Sequence, residues 1–214
     1  MTQKYRILLV HITYLAIALG LTGCGGEKAP KPAGIAGLKA GVTGISSEES
    51  RASVSQTIAV LENAKRLEPF FANSFGCAIF PTIGKGGVGI GGAFGKGYVF
   101  RMGEFTGTSS MVQVTVGFQW GGQAYSQIVF FEDEKAFNNF TSGNFEFGAQ
   151  ASAVAITAGA SAQASTGGGA SASAGRSQSE SYYEGGMAIF TRSKGGLMYE
   201  ATIGGQKFGH TPIK

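Results

Sequence analysis

The sequence predicts an α+β domain in which one or two helices cover a curved, glycine-rich antiparallel sheet or partly closed barrel. Glycine supplies 36 of the 214 residues, more than twice its usual share of roughly 7%, and it permits tight turns and close backbone contacts. Charged residues make up only 14%, while hydrophobic residues reach 43% and aromatic residues 11%. This apolar content is enough for a packed core and argues against a disordered chain.

One amphipathic helix is predicted over 47–67. The stretch Ser46-Ser47-Glu48-Glu49 has the spacing of a capping box, and Pro69 follows as a stop signal. Apolar residues then recur at helical spacing, namely Val54, Ile58 and Leu61. We expect this narrow stripe to pack on the sheet, although a helix lying on a membrane surface is an open alternative. A short helical turn is expected next, through Phe70, Phe71 and Phe75.

From residue 77 onward the hydrophobic pattern has a period of two residues, which is typical of strands. The clearest case is 111–120, where valines alternate with small or polar residues. Two stretches, 86–95 and 97–103, are predicted to form a hairpin that turns at Gly95-Lys96-Gly97. A second helix is predicted from its cap Asp133 to Gly143. The other predicted strands are 77–81, 123–131, 145–157, 181–192 and 197–203.

Residues 158–181 consist almost wholly of alanine, serine and glycine. Such a segment buries too little apolar surface to offset the entropy lost on ordering, so we expect a mobile loop between two strands. The alternative is a self-associating ladder of strands. In that case the protein would be a structural, self-associating component of the cell envelope.

The N-terminal residues have the pattern of a lipoprotein signal. Lys4 and Arg6 precede an apolar run over 7–21, which is too short to span a bilayer. The ending Leu21-Thr22-Gly23-Cys24 resembles a bacterial lipobox. We therefore expect a signal peptide over 1–23, acyl chains such as palmitate on Cys24, a flexible linker over 24–45 and the domain over 46–214. An ordinary signal or a short anchor helix is the alternative.

The residue that follows Cys24 bears on localisation. An aspartate at that position usually keeps a Gram-negative lipoprotein in the inner membrane, but this chain has Gly25. We therefore expect a lipid anchor in the outer membrane, on its periplasmic side. Two or more acyl chains would hold the protein there stably, because each buried methylene contributes about 0.8 kcal/mol.

Charge and cysteine content exclude several classes of protein. Removal of 1–23 would take away Lys4 and Arg6 and leave 17 − 2 = 15 bases against 13 acids. A net charge of +2 does not support nucleic-acid binding. After lipidation of Cys24 only Cys77 remains, so no internal disulfide is expected. Cys77 lies in an apolar run and is predicted to be a buried small hydrophobe.

The sequence contains few residues and motifs of the kinds that perform catalysis, and we expect neither enzyme activity nor a cofactor. The segment Gly87–Gly92 satisfies G-x-G-x-x-G, but the glycines that follow it do not allow the helix that a dinucleotide fold needs. After cleavage the chain would hold one histidine, His210, and one aspartate, Asp133. It has no paired-cysteine, HExxH or G-x-S-x-G pattern.

Binding is the function that remains, and basic residues in turns are the candidates for it. Lys85 and Lys96 lie between glycines, whose backbone N–H groups can help to hold a phosphate. Arg101, Arg192 and Lys194 lie in or beside other predicted turns. Together these five residues would form a basic face for an anionic lipid head group. The alternative is that each is a separate solvated cation.

Several motifs, in their order along the chain, resemble those of the SYLF domain. They are Cys77-Ala-Ile-Phe-Pro81, Lys85-Gly-Gly-Val-Gly-Ile-Gly-Gly92, Gly95-Lys-Gly97, Val116-Gly-Phe-Gln-Trp-Gly-Gly-Gln123, Gly143–Gly148 and Arg192-Ser-Lys-Gly-Gly196. The resemblance covers about residues 50–206.

Eukaryotic members of this family bind phosphoinositides and other anionic lipids, and bacterial members are often lipoproteins. The resemblance therefore implies a membrane phospholipid as partner, with Lys85, Lys96, Arg192 and Lys194 at matching positions. The loop over 158–181 is longer than in the eukaryotic pattern. Actin binding, which some yeast members show, is not expected in a bacterial envelope.

Overall fold

The computed structural model describes residues 32–143, 145–147, 154–155, 183 and 185–213. Among these residues the helices are α1 (Gly34–Gly41), α2 (Glu48–Leu61), α3 (Glu68–Asn73) and α4 (Glu134–Thr141), with 3-10 turns at Val42–Gly44 and Lys65–Leu67. The strands are β1 (Gly76–Arg101), β2 (Glu104–Phe131), β3 (Phe145–Phe147), β4 (Val154–Ala155) and β5 (Met187–Pro212). The predicted α+β class is confirmed.

Helix α1 corrects the predicted linker. Residues 34–45 were expected to be flexible, but they form α1 and a 3-10 turn. Leu38, Val42 and Ile45 of this segment are buried in the core. Their spacing of four and three residues is an apolar stripe, which the high glycine and alanine content of the segment obscures. The folded domain therefore begins before residue 46.

The predicted helix over 47–67 is shorter than expected, because α2 ends at Leu61 and Lys65–Leu67 form a 3-10 turn. The short helical turn expected next, through Phe70 and Phe71, is α3. Ser47, not Ser46, caps α2, and its hydroxyl accepts a hydrogen bond from the Ser50 backbone N–H at 3.3 Å. Pro69 does not end this helix; it lies in the first turn of α3, where a missing N–H costs nothing. The expected stripe of α2 is buried against β1, which confirms packing on the sheet.

Three strands far longer than predicted form most of the sheet. β1 runs through Gly95-Lys96-Gly97 without turning, so the predicted hairpin turn there is wrong. The chain reverses instead at Met102 and Gly103, whose φ values are +49° and +85°. Positive φ at both central residues is what a type I′ hairpin turn requires. Likewise, 111–120 and 123–131 belong to one strand, β2, and 187–212 to another, β5.

The sheet has the order β1-β2-β5-β3, with β4 beside β5, and it rolls up without closing. The two ends of β1 meet, because the Met102 N–H donates to the Phe75 carbonyl at 2.9 Å. Gly97 of β1 lies against the ring of Phe80 of the same strand. Phe80 in turn packs on Phe208 of β5, with ring centroids 5.6 Å apart. These contacts give the sheet an inner and an outer face.

The inner face holds one hydrophobic core and the outer face holds another. The inner core is closed by α4 through Phe137 and Phe140. As predicted, Asp133 caps α4 and accepts a hydrogen bond from the Ala136 N–H at 2.8 Å. On the outer face α1, α2 and α3 cover the region where the ends of β1 meet, over residues such as Ile79 and Phe100. The described helices therefore cover part of the outer face only.

The uncovered part lies where the three long strands bend back on themselves. We call this region the bend and define it as 84–92, 116–124 and 194–204. Six of the nine residues over 84–92 are glycine. Gly89 has a φ of +73° and Gly121 a φ of +118°, values that other residues rarely adopt. The glycine richness of the sequence therefore produces the sharp curvature of the sheet.

Three sequence predictions fall outside the described residues. They are the signal peptide over 1–23, the lipidation of Cys24 and the loop over 158–181. The predicted strand over 145–157 is described only at β3 and β4.

Candidate functional site

Seven large apolar side chains are exposed on the outer face at and beside the bend. Val88 is 76% exposed, Ile90 69% and Trp120 63%. The strand register pairs Val88 with Trp120 and Ile90 with Val116. We call the whole set the bend patch; its members are Val88, Ile90, Phe94, Val112, Val114, Val116 and Trp120.

Five members of the bend patch form one continuous surface across two strands. On β1, Ile90 and Phe94 point to the same side, since they are four residues apart. Their partners on β2 are Val116 and Val112, and Val114 lies between these two. Paired residues of antiparallel strands share a face, with Cβ atoms about 5 Å apart. The patch is therefore contiguous rather than a scatter of single residues.

The two faces of β2 are inverted relative to the usual arrangement in this region. A strand with one solvated face normally turns its apolar residues inward and its polar residues outward. Here Val112, Val114 and Val116 are exposed, whereas the alternate residue Thr115 is 1% exposed. Further along β2, Gln127 is fully buried, and its amide bonds that of Gln206 on β5 at 3.3 Å. The period of two was visible in the sequence, but the direction of each face was not.

Positive charge is concentrated on the long strands. β1, β2 and β5 together contain six lysines and arginines but only Glu104 and Glu200 as acids. By contrast, the described helices with their caps and 3-10 turns carry both signs in similar numbers, with five bases and six acids. The sheet is therefore the basic part of the described fold.

The structure brings some of the five predicted basic residues to the outer face. By alternation along the strands, Lys96 lies on the same face as Phe94 and is exposed. Arg192, paired in register with Ser126, lies on the outer face of β5. Lys194 is at a β-bulge and is exposed; its Nζ donates to Thr82 Oγ1 at 2.9 Å and to the Pro81 carbonyl at 3.2 Å. Lys194 thus ties β5 to β1 across β2.

The other two predicted basic residues lie elsewhere. Lys85 follows exposed Gly84 in the strand and therefore lies on the opposite, inner side of the sheet, together with Ile83. It is half-buried there. Arg101 is at the far end of β1, where its guanidinium bonds Glu134 at 2.7 Å and lies 5.2 Å from the centre of the Phe75 ring. The five residues therefore do not form a single basic face.

One basic residue was missed by sequence reasoning. Lys207 pairs in register with Val112 of the bend patch, and on its other side with Glu146 of β3. Neither glycine-rich turns nor a motif marks Lys207. Its only signal is its position in β5, and that strand was not predicted beyond residue 203.

The surroundings of the remaining reactive side chains indicate a structural role for them. Cys77 is buried in the outer core, and desolvation raises the pKa of its thiol to about 12. Burial lowers the pKa of His210, whose Nδ1 is buried without a hydrogen-bond partner. The G-x-G-x-x-G segment over Gly87–Gly92 lies within β1 and not at a strand-to-helix turn. Among the described residues, no cluster of three or more metal-ligating side chains occurs.

Within the described part of the chain, no helix has the length and apolar character needed to cross a membrane. The longest described helix, α2, has 14 residues and buries its apolar side against the sheet.

A comparison with protein families agrees with this architecture. Residues 112–209 match the family described as Ysc84, Las17-binding protein actin regulator. The matched segment begins in the bend patch at Val112 and takes in the rest of β2, α4, β3, β4 and β5 as far as Gly209. No curated protein matches the chain. Together with the ordered motifs over 50–206, this match supports membership of the SYLF domain family.

Proposed function

We propose that this protein binds anionic phospholipid membranes, without catalysis, through the outer face of its sheet at the bend. The observation that carries the proposal is the charge of the long strands, six bases against two acids, beside an exposed apolar surface. A cation near an anionic membrane surface contributes about 1 kcal/mol. The cations we assign to this contact are Lys96, Arg192 and Lys194, with Lys207 beside them.

Two of the residues first considered are left out of this contact. Arg101 already bonds Glu134 at the opposite end of β1, and Lys85 is on the inner side of the sheet. Their positive charge adds to the field of the domain at longer range, which salt screens beyond about 10 Å.

We also propose that acyl chains on Cys24 anchor the protein in the outer membrane. Ten peptide units join Cys24 to Gly34, where α1 begins, and they span at most about 36 Å. This tether is much shorter than the one expected from a linker that ends at residue 45. A short tether keeps the domain close to the bilayer, which raises the effective concentration of lipid at its surface.

Vesicle flotation tests the lipid-binding proposal. The full chain with Cys24→Ala, which cannot be acylated there, is mixed with vesicles of phosphatidylcholine with or without phosphatidylglycerol. We expect recovery with the anionic vesicles only, at low salt. Removal of two charges by Lys96→Gln with Lys194→Gln should weaken binding about thirty-fold, because each contributes about 1 kcal/mol.

The matched control removes two exposed lysines from the helical part of the fold, by Lys65→Gln with Lys135→Gln. This variant has the same net charge as the test variant, but we expect it to bind nearly as well as the parent. Equal recovery with neutral and anionic vesicles, or equal loss in both variants, would refute the proposed contact.

A further inference from the structure

We propose that the bend patch enters the interface of the anionic bilayer, so that the protein binds by insertion as well as by charge. This inference rests on the proposed function and names the part of the surface that meets the lipid. It adds a physical contact, between apolar side chains and acyl chains, that electrostatic attraction does not require.

The inversion of β2 is the first argument. Exposing three valines while burying Thr115 and Gln127 is unfavourable in water, because apolar area stays hydrated and polar groups lose hydration. A monomeric soluble protein rarely exposes a large contiguous apolar patch without a binding role. An apolar environment outside the sheet removes the first part of this cost.

The composition of the surface is the second argument, and it favours a bilayer as the occupant. Tryptophan prefers the boundary between lipid and water, and the patch contains Trp120 together with apolar side chains such as Phe94. Lys96 and Lys207 flank Phe94 and Val112 on the same face. A lysine can lay its methylene stem along apolar surface and hold its ammonium at the phosphates. This arrangement of apolar centre and cationic neighbours complements an anionic interface.

The shape of the bend is the third argument. A Cβ added at Gly84 or Gly89 would meet no atom within 4 Å, so the backbone there is open to the surroundings. Val88 and Ile90 lie on either side of Gly89 and are the most exposed apolar residues of the patch. The backbone at Gly89 is therefore uncovered between the two most exposed side chains of the patch.

A second copy of the chain is the less favourable occupant. A two-fold contact uses the same patch on both copies, so it would bring the lysines beside the patch, Lys96 and Lys207, from both copies to one interface. Like charges brought together at an interface are destabilising. The bilayer has the opposite charge, and so it is the partner we assign.

Trp120 provides a direct test, because it is the chain's single tryptophan. Its fluorescence reports on the bend patch alone, even if the apolar run over 7–21 also contacts lipid. The full chain with Cys24→Ala is mixed with vesicles of phosphatidylcholine and phosphatidylglycerol. We expect the emission of Trp120 to shift to the blue and to be quenched by lipids brominated on their acyl chains.

A matched pair of variants measures the contribution of the valines. Val112→Thr, Val114→Thr and Val116→Thr together retain β-branched side chains, which suit a strand. We expect this triple variant to bind the same vesicles about tenfold more weakly. Val60→Thr, on α2, makes the same chemical change away from the bend and should bind like the parent. Unchanged thermal unfolding of both variants shows that folding is intact.

The outcomes separate the two proposals. Binding to anionic vesicles that salt reverses fully, with no shift or quenching of Trp120, overturns insertion and leaves the proposed function standing. No binding to anionic vesicles overturns both. A blue shift that appears without vesicles and grows with protein concentration assigns the patch to a second copy and overturns insertion. A blue shift without vesicles that is independent of concentration assigns it to another segment of the chain, with the same consequence.

Discussion

Gly97 is a position at which the rolled sheet has no room for one added carbon atom. A Cβ at this position would lie 2.6 Å from Cδ1 and Cε1 of Phe80 and 2.8 Å from Cζ. Phe80 is fully buried and packs on Phe208, so its ring has no free space to move into. We expect Gly97→Ala to destabilise the fold by about 2 kcal/mol, the usual cost of overpacking a core.

Gly84→Ala is the matched control, because it adds the same atom to the same strand. A Cβ there would meet nothing within 4 Å, and Gly84 is not among the glycines with positive φ. Replacing such a glycine restricts the unfolded chain and should stabilise the protein by about 0.4–1 kcal/mol. The two substitutions should therefore change stability in opposite directions.

Urea unfolding followed by far-ultraviolet circular dichroism measures both free energies, and thermal unfolding checks them. A loss of 2 kcal/mol should lower Tm by about 4–8 °C in a chain of this size. A second change identifies the cause: Phe80→Leu should cost less in the Gly97→Ala background than in the parent, because it relieves the overlap. If Gly97→Ala unfolds like the parent, or if the two costs simply add, the close contact between the ends of β1 is wrong.

Two further predictions concern titratable groups. Because burial raises the pKa of Cys77 to about 12, the thiol should resist alkylation at pH 8 in the folded protein and react quickly in urea. Rapid alkylation of the folded protein would contradict this. Cys77→Ser should lower the free energy of unfolding by about 1–3 kcal/mol, because it buries a hydroxyl group. Burial lowers the pKa of His210 below its ordinary value of 6.5, so the unfolded chain takes up the proton first and stability should fall as the pH drops below 6.5. Thermal unfolding across this range should show a smaller decline for His210→Asn, and an identical decline would count against the assignment.

Some features of the fold could be predicted because they depend on neighbouring residues only. The cap Asp133 and the end of α4 near Gly143 follow from local hydrogen bonding. The strand pattern after residue 77 and the burial of Cys77 follow from the local sequence of apolar residues. The order of the SYLF motifs is also a property of the sequence itself, and it agrees with the family match over 112–209.

Other features could not be predicted, because glycine gives no local indication of whether a strand turns, bends or continues. Gly95-Lys96-Gly97 has the composition of a turn, yet it continues β1, since Gly97 is needed for the contact with Phe80. The true turn contains Met102 at a φ of +49°, which composition alone does not suggest. The segment of α1 has the composition of a linker, but its stripe of Leu38 and Val42 finds a partner surface in the folded domain.

The amino-acid sequence by itself determined the resemblance to the SYLF family, the α+β class and the alternation of valine with polar residues along β2. Only the tertiary structure decided that these valines face outward and that Thr115 and Gln127 face inward. The reason is that a period of two separates the faces of a strand without saying which of them another part of the chain will cover. The rolled sheet covers its inner face and the described helices cover only part of the outer one, which leaves the bend patch exposed.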